Sequence, residues 1–594
     1  MRSKWLLLIL LTASVAGAQQ TPAPVLFFTD LTQGPATGNS DNTFTSNGGV
    51  YVTLYGNFLD NFSNVTLNGS ACLAVVSNPS SWLWYEKMVV QLKGGCSSGN
   101  FAVTTASGTS NGVPFTVASG SIYYVATSGR DGNSGTFSSP WATLPHAVQT
   151  AGTGTGNVIY AENGVSDTGD DGQGWGSSLT LRAAWCSGGT PNSLVSYPNA
   201  TVTVGSTTSG IGIRGTDSSA SGGACNGGWT FGGLQIRGQD DAVSFNGPSG
   251  YPSGGSSHWR LIANDVTCPH ASSQTGCVAT IQIGGSGNTN KFFGNNVHDV
   301  GNLANQPNTD QQHGMYFGTQ SRHFEIGWSE VSNVQACRGI QIYSSPEGMF
   351  DFSIHDNTIH DTACDGIDLF ALDPSSGPIS IYNNVIYLAG KGPQNTQEGG
   401  GNFTGIYESR TVGSGNGGSG TMQVYNNTLY KNGTVSNSVY GSCQNFGGVD
   451  ISNNDDTTKM QIQNNLIFQT GTNPNCPNGI PFWLNGTNDA TALFGANNLM
   501  WGVNPSQAPP NNSHITGTVN SDPLLVDVNN FDFHLSSSNS PANGAGASSG
   551  PVPVYDHDGV IRPSPPSIGA FEYAPGSGNG GPPNPPTGLQ AVVH

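Results

Sequence analysis

The sequence predicts an all-β chain in which a small β-sandwich precedes a long solenoid of stacked coils. Three observations carry this. A six-residue pattern recurs nine times: an apolar residue, two arbitrary residues, an anchor, one further residue and a second apolar residue. The anchors are Leu234, Asn264, Asn295, Ser329, Asn357, Asn384, Asn427, Asn465 and Asn497, at spacings of 30, 31, 34, 28, 27, 43, 38 and 32 residues. A fixed pattern with a varying period describes coils joined by loops of unequal length. Apolar and polar residues alternate around the anchors, as from Tyr382 to Leu388, which is the period of a strand. No long segment with a 3.6-residue period lies between the repeats, so helical and leucine-rich solenoids do not fit.

Asn is poor in strand interiors and comfortable at turns, where it tolerates the left-handed region and bonds nearby backbone. Repeated once per coil, its amides can hydrogen-bond from coil to coil. The pattern resembles the asparagine ladder of right-handed parallel β-helices, the pectate-lyase-like fold, over residues 122–575. The resemblance implies a fold. It does not imply one activity, because lyases, hydrolases, epimerases and non-enzymes share that fold.

Residues 1–18 read as a secretory signal: Arg2 and Lys4, an apolar run from Trp5 to Leu11, then Ala16-Gly17-Ala18. That run is too short to span a membrane. An exported, extracellular or surface-attached chain is expected. A net charge of −19 with 17 Lys+Arg argues against nucleic acid and anionic membranes as partners. A monomer is expected. Ten Cys in an exported chain suggest five disulfides. Cys337 and Cys364 each directly precede an aligned strand start on adjacent coils. Stacked strands lie about 4.8 Å apart, within reach of a bridge. Cys443 and Cys476 stand similarly, and Cys268–Cys277 closes a short loop. Cys72–Cys96 and Cys186–Cys225 follow by elimination.

Residues 21–118 lack the anchor pattern and carry short alternating runs with frequent turns, which reads as a β-sandwich. The run from Gly48 to Phe58, the strand with Cys72 and the closing Asn111 to Val117 resemble an IPT/TIG immunoglobulin-like domain. From Ile122 the chain gives a strand, a turn and then a short amphipathic helix around Leu144, suited to covering the first coil. The segment from Ser521 to Tyr573 resembles the terminal segment of secreted bacterial β-helix proteins, so its acidic and His residues are expected to be structural. Residues 576–594 read as a Gly/Pro linker and a stretch that resembles a truncated first strand of a fibronectin type III domain.

Each coil has a second strand after the anchor strand. Val243, Ile281, Met315, Ile340, Ile367, Ile406 and Val449 form its inward file. Alternation then turns Ser244, Gln282, Tyr316, Gln341, Asp368, Tyr407 and Asp450 outward. Gln282, Gln341 and Asp450 also suit an ordinary solvated sheet. At the strand starts His313, Arg338 and Asp365 fall on consecutive coils. Parity points them inward, and a bend there can turn them outward. Tyr, Gln, Asp, His and Arg on one face suit a sugar chain, so His313, Arg338, Asp365 and Asp368 are the candidate catalytic residues. Asp310, Tyr316, Gln341 and Tyr407 are the candidate substrate contacts, with a polysaccharide as partner.

β-Elimination from a uronate needs a cation to neutralise the carboxylate and a base to take a proton. The resemblance to pectate lyases implies Ca²⁺, here on Asp365 and Asp368, with Arg338 or His313 as base. Gly215-Thr216-Asp217, Asp240-Asp241, His313-Gly314 and Arg338 to Gln341 follow the order of polygalacturonase motifs. Gly215 replaces an Asn, and Gln341 stands where a Lys belongs. A polysaccharide lyase is the first expectation. A non-catalytic surface or adhesion protein and a polygalacturonase-like hydrolase are the alternatives.

Overall fold

The computed structural model describes residues 22–574 except 175, 187–189, 217–224, 226, 247–256, 270–278, 285–288, 302–311, 319–320, 336, 344–347, 393–402, 410–418, 435–445, 453–456, 471–480, 486–490 and 504–513. Among the described residues, three parallel sheets of thirteen, eleven and ten strands run the length of the solenoid. Each complete coil contributes one strand to each sheet, as with Phe350–His355, Thr358–Thr362 and Ile367–Phe370; the end coils contribute fewer. The chain is a parallel β-helix.

The asparagine ladder is formed and buried. Asn357 Nδ2 donates to Asn384 Oδ1 at 3.0 Å, Asn384 to Asn427 at 3.0 Å, and Asn427 to Asn465 at 3.0 Å. Each backbone N–H also donates to the next amide oxygen, as Asn357 N does to Asn384. Fully satisfied amides make this polar file tolerable inside the solenoid. Two corrections follow. The last rung is Asn498, which accepts from Asn465 at 3.0 Å, and not Asn497. In the final coil Gly495 pairs with Ile462, and Met500 with Ile467, one residue later than the apolar pattern implied. The left-handed residue is also not the anchor but the one before it: Asp356, Asn383, Asn426, Asn464 and Asn497 have φ of 50 to 56°.

In the last four coils these left-handed asparagines do a second job. Asn383 Nδ2 donates to Tyr555 O, Asn426 to Ser567 O, Asn464 to Ala547 O and Asn497 to Ala545 O. In each Asn-Asn pair the second amide ties coil to coil, and the first holds the C-terminal segment against the outside. Phe533, Leu535, Ile568 and Phe571 of that segment pack on Tyr430, Leu466 and Phe468. It is therefore a strap along the solenoid. It reaches the N-terminal module, where Asn57 Nδ2 donates to Asp558 O and His557 stacks on Trp84.

The N-terminal module has one antiparallel sheet built from Val25–Thr29, Tyr51–Asn57, Tyr85–Leu92 and Leu73–Trp82, and a second, mixed sheet. It docks on the first coils. Leu54, Val90 and Phe101 share one core with Tyr124, Val158 and Tyr160. A second patch joins Phe28, Tyr55 and Tyr85 to Ile262 and Phe293. The helix Leu144–Ala151, N-capped by Thr143, buries Leu144, Ala147, Val148 and Ala151 in the solenoid core. Cys72–Cys96 and Cys186–Cys225 are bonded. Cys268 is disulfide-bonded, and Cys277, Cys443 and Cys476 lie outside the described residues.

Besides His360, which lies between Glu330 and Asp361, three imidazoles sit between carboxylates among the described residues: His298 between Asp265 and Asp299, His355 between Asp356 and Glu325, and His534 between Asp532 and Asp558. Burial opposes their charge. The flanking carboxylates outweigh it and raise them to about 9, about 9 and about 10. An unfolded imidazole titrates near 6.5. Their contribution to stability is therefore complete below that pH and lost as pH rises through the folded values. The melting temperature is expected to fall by several degrees between pH 7 and 10. His534→Gln should flatten that slope in a calorimetric pH series.

Candidate functional site on the second-strand sheet

The inward and outward files have the expected register. Met315, Ile340, Ile367, Ile406 and Val449 stack in one line and are fully buried. Tyr316, Gln341, Asp368, Tyr407 and Asp450 stack in the next. Ahead of them, Gly314 N donates to Arg338 O, Gly339 N to Asp365 O and Gly366 N to Thr404 O, so His313, Arg338, Asp365 and Thr404 begin four successive coils. The glycines allow a close approach. A Cβ on Gly339 would lie 2.6 Å from Gly366 O, and one on Gly366 2.7 Å from Gly405 O.

The side chains at these starts join the outward file. Arg338 Nε lies 2.5 Å from Asp368 Oδ2 and 3.8 Å from Asp365 Oδ2. Gln341 Nε2 donates to Asp368 Oδ2 at 3.0 Å. Thr404 donates its N–H and Oγ1–H to Asp365 Oδ1, each at 2.9 Å. The His313 ring stacks on Tyr316 with centroids 5.7 Å apart. His313, Arg338, Asp365 and Asp368 thus form one cluster over three coils. They are also largely buried, at 3, 9, 0 and 3% exposure, where a face open to a sugar chain was expected.

Burial sets the charge states. His313 falls well below its ordinary value through burial and then the Arg338 charge, and its Nδ1 has no hydrogen-bond partner. Asp365 is raised to about 7 by burial and the Asp368 charge, against the pull of Arg338 and Thr404. Burial lowers Arg338, but its electrostatic coupling to Cys337, Asp368, Cys364 and Asp365 holds it well above the ordinary range. Arg338 is thus a fixed cation, while burial disfavours the charged form of His313.

The carboxylate pair does not fit a calcium ion, because the guanidinium lies beside both carboxylates. Among the described residues, no group of three or more His, Cys, Asp or Glu side chains is placed to hold a metal. Cys337 and Cys364 are two buried cysteines and not a bridge, which corrects the expected cross-coil bond. The backbones do meet, with Cys364 N donating to Cys337 O at 3.0 Å. The Cys337 sulfur is instead turned to Arg338 Nη1, which donates to it at 3.2 Å.

Of the substrate contacts, Tyr316 and Gln341 adjoin the cluster. Tyr407 is on the same file at 6% exposure. Asp310 and Asp217 lie outside the described residues. Sequence reasoning missed three features. Tyr316, Tyr343 and Phe370 form an aromatic stack, with centroids 6.3 and 4.5 Å apart, visible by continuing the outward parity two residues. Glu408 stands in the inward file between Leu369 and Ile451. Asp450 is fully buried with neither oxygen hydrogen-bonded. Burial, then Asp365 and Glu408, push its pKa far up, where a solvated carboxylate was one reading of the sequence.

Among the described residues no helix is long and apolar enough to cross a membrane. No family model and no curated protein matches the chain. Among solved structures it is similar to pectate lyase Pel9A, at 17% identity and a TM-score of 0.48, over 77% of this chain and 96% of that one. It is similar to a rhamnogalacturonan lyase at 15% identity and 0.33, over 67 and 87%. It is similar to the catalytic domain of a GH87 alpha-1,3-glucanase at 10% identity and 0.34, over 85 and 86%. These likenesses are of fold alone.

Proposed function

We propose that the chain is an extracellular polysaccharide lyase whose centre is His313, Arg338, Asp365 and Asp368. The supporting observation is an imidazole held uncharged by burial, its Nδ1 without a hydrogen-bond partner, near a fixed cation and a carboxyl that titrates near neutrality. Each matches one need of β-elimination. His313 takes the proton from the carbon next to a uronate carboxylate. Arg338 faces the charge that develops on that carboxylate. The carbon–oxygen bond of the linkage breaks, its electrons leave with the oxygen, and a carbon–carbon double bond forms. Asp365, protonated below about 7, returns a proton to the leaving oxygen. The stack of Tyr316, Tyr343 and Phe370 offers faces for sugar rings. An extracellular setting is part of the proposal and is supported by the signal-like run of residues 1–18.

A non-catalytic surface protein is the alternative, favoured by the near-complete burial of the four side chains. In that case the cluster is a structural ion pair. Incubation with uronate-containing polysaccharides separates the two. The lyase releases unsaturated ends, and the surface protein releases none.

A further inference from the structure

Where the N-terminal module meets the solenoid, the two enclose a cavity of about 420 Å³, lined from the module by Asp30, Trp82 and Lys87 and from the solenoid by Asn199, Thr201 and Gln235. Its size lies at the small end of ligand pockets, about 300–1,000 Å³. Asn199 and Thr201 at its rim are exposed, so it opens to solvent. Its walls are fixed. Trp82 Nε1 donates to Gly294 O at 2.9 Å, and Tyr51 and Tyr160 exchange two hydrogen bonds across the seam at 2.8 Å.

Its wall carries one ammonium, Lys87, and two carboxylates, Asp30 and Asp265. Lys87 makes no ion pair among the described residues, and its ammonium rests 4.8 Å over the Trp82 ring. Burial lowers its pKa, opposed by Asp30. Asp30 Oδ1 is occupied by the N–H groups of Leu31 and Thr53, at 2.7 and 2.8 Å. The second wall carboxylate, Asp265, is already paired with Arg237 and His298. An ammonium with no direct ion pair, in a partly desolvated pocket whose carboxylates are already engaged, favours an anionic ligand group. Gln235, Asn199 and Asp30 supply more acceptors and amides than a bare anion needs, and they match hydroxyls.

We propose that this seam is a binding site for a carboxylate-bearing sugar unit, with Lys87 on the carboxylate and Asp30, Asn199 and Gln235 on the hydroxyls. It shares no residue with the strand-face cluster and stands if that cluster proves structural. The module would then hold one acidic sugar beside the solenoid.

The test is calorimetric or ligand-observed NMR titration of the whole chain with D-glucuronate, D-glucose and acetate. Glucuronate should bind best, with glucose and acetate each weaker by about tenfold or more, the loss of one charge-assisted or several neutral hydrogen bonds. Lys87→Met should weaken glucuronate by about tenfold, and so should Thr201→Trp, which blocks the rim from an exposed position. Glucose binding equal to glucuronate, or glucuronate indifferent to both Lys87→Met and Thr201→Trp, overturns the proposal. Acetate binding as well as glucuronate reduces the seam to an anion site and overturns its sugar part.

Discussion

Replacing Arg562 with Met is expected to loosen the C-terminal strap, at a cost of about 3–5 kcal/mol for a buried pair broken on one side. Arg562 Nη1 lies 2.6 Å from Glu572 Oε1, and both side chains are almost wholly buried. Its Nη2 also donates to Asn383 Oδ1, Gly569 O and Ala570 O. Glu572 in turn accepts from the Ser567 N–H and hydroxyl. Without the guanidinium, Glu572 keeps a buried charge with no cation. A solenoid responds locally, so faster hydrogen exchange should be confined to the strap and the Asn383, Asn426 and Asn464 turns. Exchange that rises evenly along the coils would show that the strap is not a separate unit.

His313→Ala is expected to lower turnover of a cleaved polysaccharide by about 10²–10⁴-fold, the usual worth of a positioned base. The fold should lose only the packing of the buried ring, a few degrees of melting temperature. His313 Nδ1 has no hydrogen bond to lose, and the ring stacks on Tyr316. A folded variant with lost turnover marks a base. Unchanged turnover on a cleaved substrate removes His313 from the chemistry.

Much of this architecture was legible because its causes repeat. Six apolar residues from Val243 to Ile406 all fell in one buried file, since parity and coil spacing are fixed by the sheet. The final rung slipped because Phe494 and Leu499 mimic the apolar pattern. The structure instead buries Leu493 and Met500 in the solenoid core and gives Leu499 to the strap core. The strap's grip on Asn383 and Asn426 left no sequence signal, because an exposed turn Asn and one holding a distant carbonyl read alike. The site was half legible. Register places His313, Arg338 and Asp365 on adjacent coils. Whether they meet solvent or each other depends on how Arg338 turns, and no periodicity carries that. The seam around Lys87 was invisible for the same reason: it arises where two folds meet.

Product mass tests the central claim most directly. The chain is incubated with uronate-containing polysaccharides and the fragments are weighed by mass spectrometry. β-Elimination at the His313 cluster predicts new ends that lack one water relative to hydrolysis, lost in His313→Ala and Asp365→Asn. Fragments carrying the full water of hydrolysis, or unsaturated fragments undiminished in both variants, would contradict it.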